Sequence, residues 1–273
     1  MITKEKAITT KEEKLPATIN LEEMAGKGNE FVTARDTKLP IIKIIYQNSP
    51  VLDDKDTRFV EGAALYDIWS ETSGNVWKAR DGFLVSPCLF INTFNEWQDK
   101  GETTGRPVAI HTDPAIMSQT TRDAEGKDRL PNGNYVEDTG NHFVYILDKD
   151  FNPVEQALIT MKSTQKKKSK MWNSMMRSVK EKRSDGKGFY TPAMFTQRYL
   201  LNTVLEKNAK GTWYGWKISH VGPVQNQITL DAAMGFYDSC MKGNVNVKYE
   251  NESATAKPVT EPTQNASRAN QTF

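Results

Sequence analysis

The residues that could carry out catalysis are few, and their spacing supports no active site. The three histidines, His111, His142 and His220, pair with no cysteine or carboxylate at the spacing of metal ligands. The segment from Asp148 to Asn152 resembles the start of a calcium loop but lacks the glycine and the final glutamate of that motif. The phosphate-binding pattern GxxxxGK does not occur. The sequence therefore predicts a protein that is not an enzyme, with structural histidines and with neither a metal nor a cofactor.

The strongest functional signal is a concentration of positive charge between Lys162 and Lys187. This segment has ten basic and two acidic residues, whereas the whole chain has a net charge of only +2, so the remainder is net acidic. A basic segment of this kind indicates a polyanionic partner. The alternative is the solvated face of a lysine-rich helix, which is the more common reason for a run of charges.

The basic segment has the apolar periodicity of an amphipathic helix. Ser163 or Thr164 can cap its first turn, because a hydroxyl oxygen accepts a hydrogen bond from an unpaired amide. At about 100° per residue, the helix has an apolar and a basic side. The apolar side carries Lys168, Trp172, Met175, Met176 and Val179. The basic side carries Lys166, Lys170 and Arg177. We expect the first side to be buried and the second to form an outward ridge.

Aromatic residues beside basic ones extend this signal. Single-stranded nucleic acid is bound by cations along its backbone and by flat side chains on which bases stack, each stacked base contributing about 1–3 kcal/mol. In the segment 211–222, Trp213 shares a face with Lys217, whereas Trp216 shares its face with Ile218. We therefore expect Trp213 in a groove and Trp216 in the core, although strand aromatics are more often core residues. The predicted binding residues are Lys166, Lys170, Arg177, Lys187, Lys217, Trp77, Tyr190 and Trp213.

The length of 273 residues and the apolar share of 37% fit one large or two small domains, with a mean hydropathy of −0.63. No apolar run is long enough to cross a membrane and no signal-peptide core is present, which predicts a soluble protein that is not secreted. Cys88 and Cys240 are predicted to be free thiols. Residues 1–36 and 244–273 are too polar to offset the entropy of ordering, so we predict a disordered arm and tail around a single domain, 37–243.

Short apolar segments separated by turn signals predict a mainly β domain with added helices. The predicted strands are 39–47, 62–69, 75–78, 82–97, 142–148, 154–162, 195–206 and 211–222. Pro87 requires a bulge or an edge position within its strand. The segment 98–141 is rich in glycine and proline and is predicted to be a long loop, and Thr229 is predicted to cap a final helix that closes at Gly243. This pattern favours a β-barrel or sandwich over alternating βαβ units.

Five segments together resemble a family of phage-encoded proteins. They are LPIIKIIYQNSPVL, GAALYDIW, VSPCLFINTF, ALITMKSTQKKKSKMWNSMM and GTWYGWKISHVGPV, within a likeness from Leu39 to Gly243. The family is that of the single-stranded DNA-binding proteins of short-tailed phages. The resemblance implies an OB-fold, a five-stranded barrel with added elements and a groove for single strands. It also implies a role in DNA replication and recombination in the cytoplasm of the infected bacterial cell.

The resemblance further implies protein partners. Proteins of this family often end in a flexible acidic tail with a final aromatic residue, which docks replication proteins such as polymerase and helicase. Phe273 is the corresponding residue here, in a tail whose acidity is partly offset by Lys257 and Arg268. A homodimer is a second candidate assembly, and no membrane partner is expected.

Two other functions stay open on the sequence. A phage structural or assembly protein could use the same basic helix to contact packaged DNA or a protein partner. A nuclease would need a cluster of acidic metal ligands, which the sequence does not offer. Binding of single-stranded DNA, largely independent of base sequence, is the function that the basic and aromatic residues together predict.

Overall fold

The computed structural model describes residues 22–33, 36–99, 106–208 and 211–245. The chain divides into two compact units, Met1–Thr37 and Lys38–Phe273. The described part of the first unit contains one short 3₁₀ turn, Glu22–Met24. Most of the predicted arm and nearly all of the predicted tail lie outside the described residues. The features below all belong to the second unit.

The second unit is mainly β, as predicted, and its described residues form thirteen strands and two α-helices. The strands are β1 (Ile41–Ile44), β2 (Ile68–Ser70), β3 (Val76–Trp77), β4 (Phe83–Trp97), β5 (Ala109–His111), β6 (Thr121–Arg122), β7 (Asp128–Arg129), β8 (Tyr135–Leu147), β9 (Pro153–Lys162), β10 (Glu181–Lys182), β11 (Phe189–Tyr190), β12 (Gln197–Asn208) and β13 (Gly211–Pro223). The helices are α1 (Lys166–Ser178) and α2 (Gln227–Met241).

Eleven strands form one sheet, whose main path runs β13-β12-β4-β8-β9-β1-β2-β3. Strands β5, β6 and β7 extend it beside β4 and β8, while β10 and β11 form a separate two-stranded sheet. The pairing of β1 with β9 is parallel, and the other pairs among the described strands are antiparallel. The predicted hairpins β8–β9 and β12–β13 are confirmed, as is the bulge at Pro87, where the β4–β8 register shifts.

The sheet curls so that its two ends approach each other. The backbone N–H of Thr203 in β12 donates to the carbonyl of Ala79, just after β3, at 3.1 Å. The Thr203 hydroxyl donates to the carbonyl of Tyr66 at 2.8 Å, and the Tyr66 ring stacks on Tyr214 of β13 at 3.7 Å between centroids. These contacts join the ends without a continuous ladder of strand pairs. The result is a curled half-barrel.

Each face of the curled sheet is covered by a helix. Trp172 and Met176 of α1 belong to the larger apolar cluster, together with Ile159 and other residues that alternate along the inner face. On the other face, Ala233 and Phe236 of α2 pack in a second cluster that includes Leu158. Adjacent residues of β9 therefore lie in different clusters. Burial on both faces accounts for the run of buried apolar residues from Ala157 to Ile159 in this strand.

Two predicted elements are wrong. Of the strand predicted at 62–69, only the end is present, as β2, because Tyr66 has a positive φ of 74° and the Asp67 carboxylate accepts from the backbone N–H of Ala64 and Ala79. The predicted loop 98–141 is wrong from residue 106 onward, since β5, β6, β7 and half of β8 lie within it. The first half of β8 is polar because it pairs with the polar end of β4, so no apolar alternation marks it.

The predicted N-caps of both helices are also wrong, whereas the predicted closure of the last helix at Gly243 is confirmed, since this glycine follows the C-cap Lys242 and has a φ of 70°. Residues Ser163–Gln165 form a 3₁₀ turn, and the N-cap of α1 is Gln165, which makes no side-chain capping bond. The N-cap of α2 is Asn226, whose side-chain oxygen accepts from the backbone N–H of Thr229 at 2.7 Å. Thr229 lies inside the first turn and donates its hydroxyl to the carbonyl of Phe151 at 2.6 Å. The 3₁₀ turn places the start of α1 against β13.

Candidate nucleic-acid interface

The first lysine of α1 points inward. Lys166 donates to the carboxylate of Asp138 at 2.5 Å and to the side-chain oxygen of Asn92, and its side chain is only 13% exposed. The prediction that Lys166 belongs to the outward ridge is therefore wrong. Its orientation follows from an acidic partner on β8 that lies close in space but distant in sequence.

The next two lysines form a cluster with a partly buried carboxylate and an indole. We name Lys167, Lys168, Glu206 and Trp213 the Glu206 cluster. The ammonium of Lys167 lies 3.6 Å from Glu206 and 5.7 Å from the centroid of the Trp213 ring, and Lys168 pairs with the same carboxylate. Burial raises the pKa of Glu206, but the hydrogen bond from Lys168 and the charges of both lysines outweigh it and leave the pKa below its ordinary value. Glu206 is therefore ionised at neutral pH.

The start of α1 is fixed on β13 by a close contact at a glycine. The side chain of Gln165 accepts from the backbone N–H of Trp216 at 3.0 Å. It lies over Gly215, where a Cβ atom would come within 2.8 Å of the Gln165 amide nitrogen. Because side chains alternate along a strand, Trp213, Gly215 and Lys217 share this face. Lys217 is exposed, so this face of β13 carries the ring of Trp213 and, four residues further along the strand, the cation of Lys217.

The charge at the start of α1 is unfavourable unless anions offset it. The first turn has three lysines and no acidic residue, while the amide end of a helix dipole is itself positive. Asp138 and Glu206 supply two carboxylates at this end. Lys170 and Arg177 lie further along the helix and are exposed, as the ridge prediction requires. The outward ridge therefore comprises Lys167, Lys170 and Arg177.

The remaining predicted residues are divided between the surface and the core. Lys187 is exposed in the loop between β10 and β11, and Tyr190 is 40% exposed with its hydroxyl bonded to Glu181. Trp77 is partly buried and packs against the core, with its ring centroid 4.8 Å from that of Phe83, and stacking of a base on this ring stays a prediction. Trp216 is buried in the same cluster, as predicted. Phe273 lies outside the described residues.

Sequence reasoning missed three members of the Glu206 cluster. Lys167, Lys168 and Glu206 were not among the predicted binding residues, although the β12–β13 hairpin pairs Glu206 directly with Trp213. The pairing of these two strands could be predicted, but their register could not, because the strands predicted to end at residue 206 and to begin at residue 211 stay paired up to Asn208 and Gly211 in the structure. The contact of Glu206 with Lys167 and Lys168 could not be predicted either, because it depends on where α1 lies.

The histidines have hydrogen-bonded, structural positions. His111 contacts the carboxylate of Glu96 at 3.0 Å, and His220 contacts Gln197 at 2.9 Å. His142 is buried against Trp172 and contacts the hydroxyl of Ser169. Burial and the charge of Lys166 lower the pKa of His142 to about 3, so this ring is neutral at physiological pH.

Both cysteines are free, as predicted. Within the described ranges, no group of three or more histidine, cysteine, aspartate or glutamate side chains could hold a metal ion. In the same part of the chain, no helix is long and apolar enough to cross a membrane.

The fold and the site together define a mainly β protein whose curled sheet carries a basic surface with aromatic side chains. Residues 8–246 match the sequence model of the Pam3 phage gp34-like protein family, and the chain belongs to that family. It is therefore a phage protein. The searches of curated proteins and of solved structures found no match.

Proposed function

We propose that the protein binds single-stranded DNA during phage DNA replication and recombination, in the cytoplasm of the infected cell. The observation that carries the proposal is the position of Lys167 over the ring of Trp213, on the face of β13 that also carries Lys217. A cation beside an aromatic ring can contact a phosphate while the neighbouring base stacks. Lys170 and Arg177 extend the line of cations along α1, and contacts of these cations with phosphates would be largely independent of base sequence.

The OB-like architecture belongs to the same proposal. A partly open, mainly antiparallel barrel of five strands is the core of an OB-fold, and its sheet surface binds oligonucleotides. The curled half-barrel has the openness and the antiparallel pairing that this comparison needs, with further strands added beside β4 and β8. Docking of replication proteins through Phe273 and a homodimer are additional proposals.

The exposed cations of α1 provide a test. We expect Lys170→Ala and Arg177→Ala each to weaken binding of an oligo-dT strand and to reduce the slope of log K against log salt by about 0.7, because each loses one phosphate contact. Lys242→Ala is the matched control, since Lys242 is exposed at the end of α2 on the other face of the sheet. Fluorescence anisotropy of a labelled strand measures both quantities. Equal slopes for all three variants would contradict the proposed path.

A structural protein of the phage particle is the competing proposal. Mass spectrometry of purified particles separates the two, because a replication protein should be absent from the particle and a structural protein should be present in many copies.

A further inference from the structure

The hairpin β10–β11 is a small two-stranded sheet of its own, placed between the end of α1 and the start of β12. Its antiparallel register pairs Glu181 with Tyr190 and Lys182 with Phe189. Side chains of directly opposite residues share a face, and successive residues alternate between faces. The hairpin therefore has one face with Glu181 and Tyr190 and another with Lys182 and Phe189.

The face with Glu181 and Tyr190 is turned toward the main sheet. Glu181 accepts from the side-chain amide of Gln197 at 3.1 Å and from the hydroxyl of Tyr190 at 2.7 Å. Gln197 is the first residue of β12, is buried, and contacts His220 of β13. This chain of hydrogen bonds fixes the hairpin on the β12–β13 pair. It also engages the hydroxyl of Tyr190 on the anchored side.

The opposite face presents an aromatic ring among cations. Phe189 is 68% exposed, and Lys182, Arg183 and Lys187 around it are exposed as well. The two acidic residues of the hairpin are engaged elsewhere, Glu181 on the anchored face and Asp185 in the turn, where its carboxylate accepts from the backbone N–H of Lys187. The charge beside the Phe189 ring is therefore predominantly positive. An exposed apolar ring with cations beside it matches a ligand that is both flat and anionic better than it matches an uncharged protein surface.

We propose that Phe189, rather than Tyr190, is the stacking residue of this hairpin and that it packs on a base of single-stranded DNA while Lys182 contacts a neighbouring phosphate. This inference rests on the proposed function and names a contact that the function does not require. Phe189 and Lys182 stand opposite each other on one face, so a base and its phosphate can be contacted together. The hairpin thus adds a second aromatic position to that of Trp213.

Substitutions of Phe189 test the inference with an oligo-dT strand and with an abasic strand of the same length. We expect Phe189→Ala and Phe189→Leu both to weaken binding of oligo-dT about 5- to 150-fold, which is the loss of one stacked base. Phe189→Trp should retain the affinity, because its ring can still stack. On the abasic strand, the wild type and Phe189→Ala should bind equally, because no base is present to stack.

A second exposed phenylalanine provides the control, and three results would contradict the inference. Phe59→Ala removes another exposed phenylalanine, in an acidic loop, and should bind like the wild type. The inference is wrong if the wild type binds oligo-dT and Phe189→Ala binds equally well. It is also wrong if Phe189→Leu retains the affinity, which indicates an apolar contact that does not depend on an aromatic ring, or if the loss is the same on the abasic strand. A wild type that binds no oligo-dT at low salt contradicts the proposed function itself.

Discussion

Replacing Glu206 with glutamine is expected to tighten the binding of single-stranded DNA and to make it more sensitive to salt. Glu206 occupies Lys167 and Lys168 at the point where α1 meets Trp213, with its own side chain only 14% exposed. Its carboxylate therefore competes with phosphate for both lysines. Removing that charge frees them, and each new phosphate contact adds about 0.7 to the magnitude of the salt slope.

The magnitude of the slope is expected to rise by up to about 1.4, the value for two phosphate contacts. The affinity of the variant relative to the wild type would then increase roughly 25-fold when the salt concentration falls from about 1 M to about 0.1 M. Titration of a labelled oligo-dT strand across a series of salt concentrations measures it. Glu125→Gln is the control, because it removes the same charge from an exposed residue in the turn between β6 and β7. If both variants gain affinity equally, net charge explains the change and the Glu206 cluster is not in the path of the strand.

Replacing Trp172 with alanine is expected to lower the free energy of unfolding by about 3–5 kcal/mol, the usual loss when a large buried aromatic residue is removed. Trp172 is fully buried, stacks on His142 at 4.4 Å and meets the ring of Tyr199 edge-on at 5.8 Å. It is the main apolar anchor that holds α1 in the curled sheet. Without it, the exposed cations of the helix lose their fixed position.

Urea-induced unfolding of the wild type and the variant measures this loss. Met171→Ala is the matched control on the same helix, because Met171 is exposed, and its effect should lie within about 0.5 kcal/mol. Similar losses for Met171→Ala and Trp172→Ala would show that α1 is not held by the burial of Trp172.

Local patterns in the sequence were sufficient to predict the two hairpins and the buried side of α1. Strands β8, β9, β12 and β13 each contain an apolar stretch, and a turn separates the partners of each pair, so both pairs could be predicted. The parallel pairing of Ile41 with Leu158 could not, because no local signal links residues so far apart. The polar half of β8 was missed for a related reason, since its polar residues pair with β4 and Val136 is the apolar side chain that it buries, against Phe94 and Leu130.

The binding residues could be predicted only where exposure follows from the element itself. Lys170, Arg177 and Lys217 are exposed because they lie opposite buried residues on a helix or a strand. Lys166 has the helical phase of the ridge but is drawn inward by Asp138, which the sequence places on another element. Trp77 lies beside basic residues along the chain, yet it packs against Phe83. In both cases a partner on another element decided where the side chain lies.

Titration of the full-length protein with an oligo-dT strand, followed by tryptophan emission at about 50 mM and about 200 mM salt, is the most direct test of single-stranded DNA binding. We expect quenching at low salt, because a base that stacks on Trp213 alters its emission, and a marked loss of affinity at the higher concentration as phosphates regain counterions. A labelled strand followed by anisotropy in the same samples reports binding independently of tryptophan. No change in either signal at low salt would contradict the proposed function.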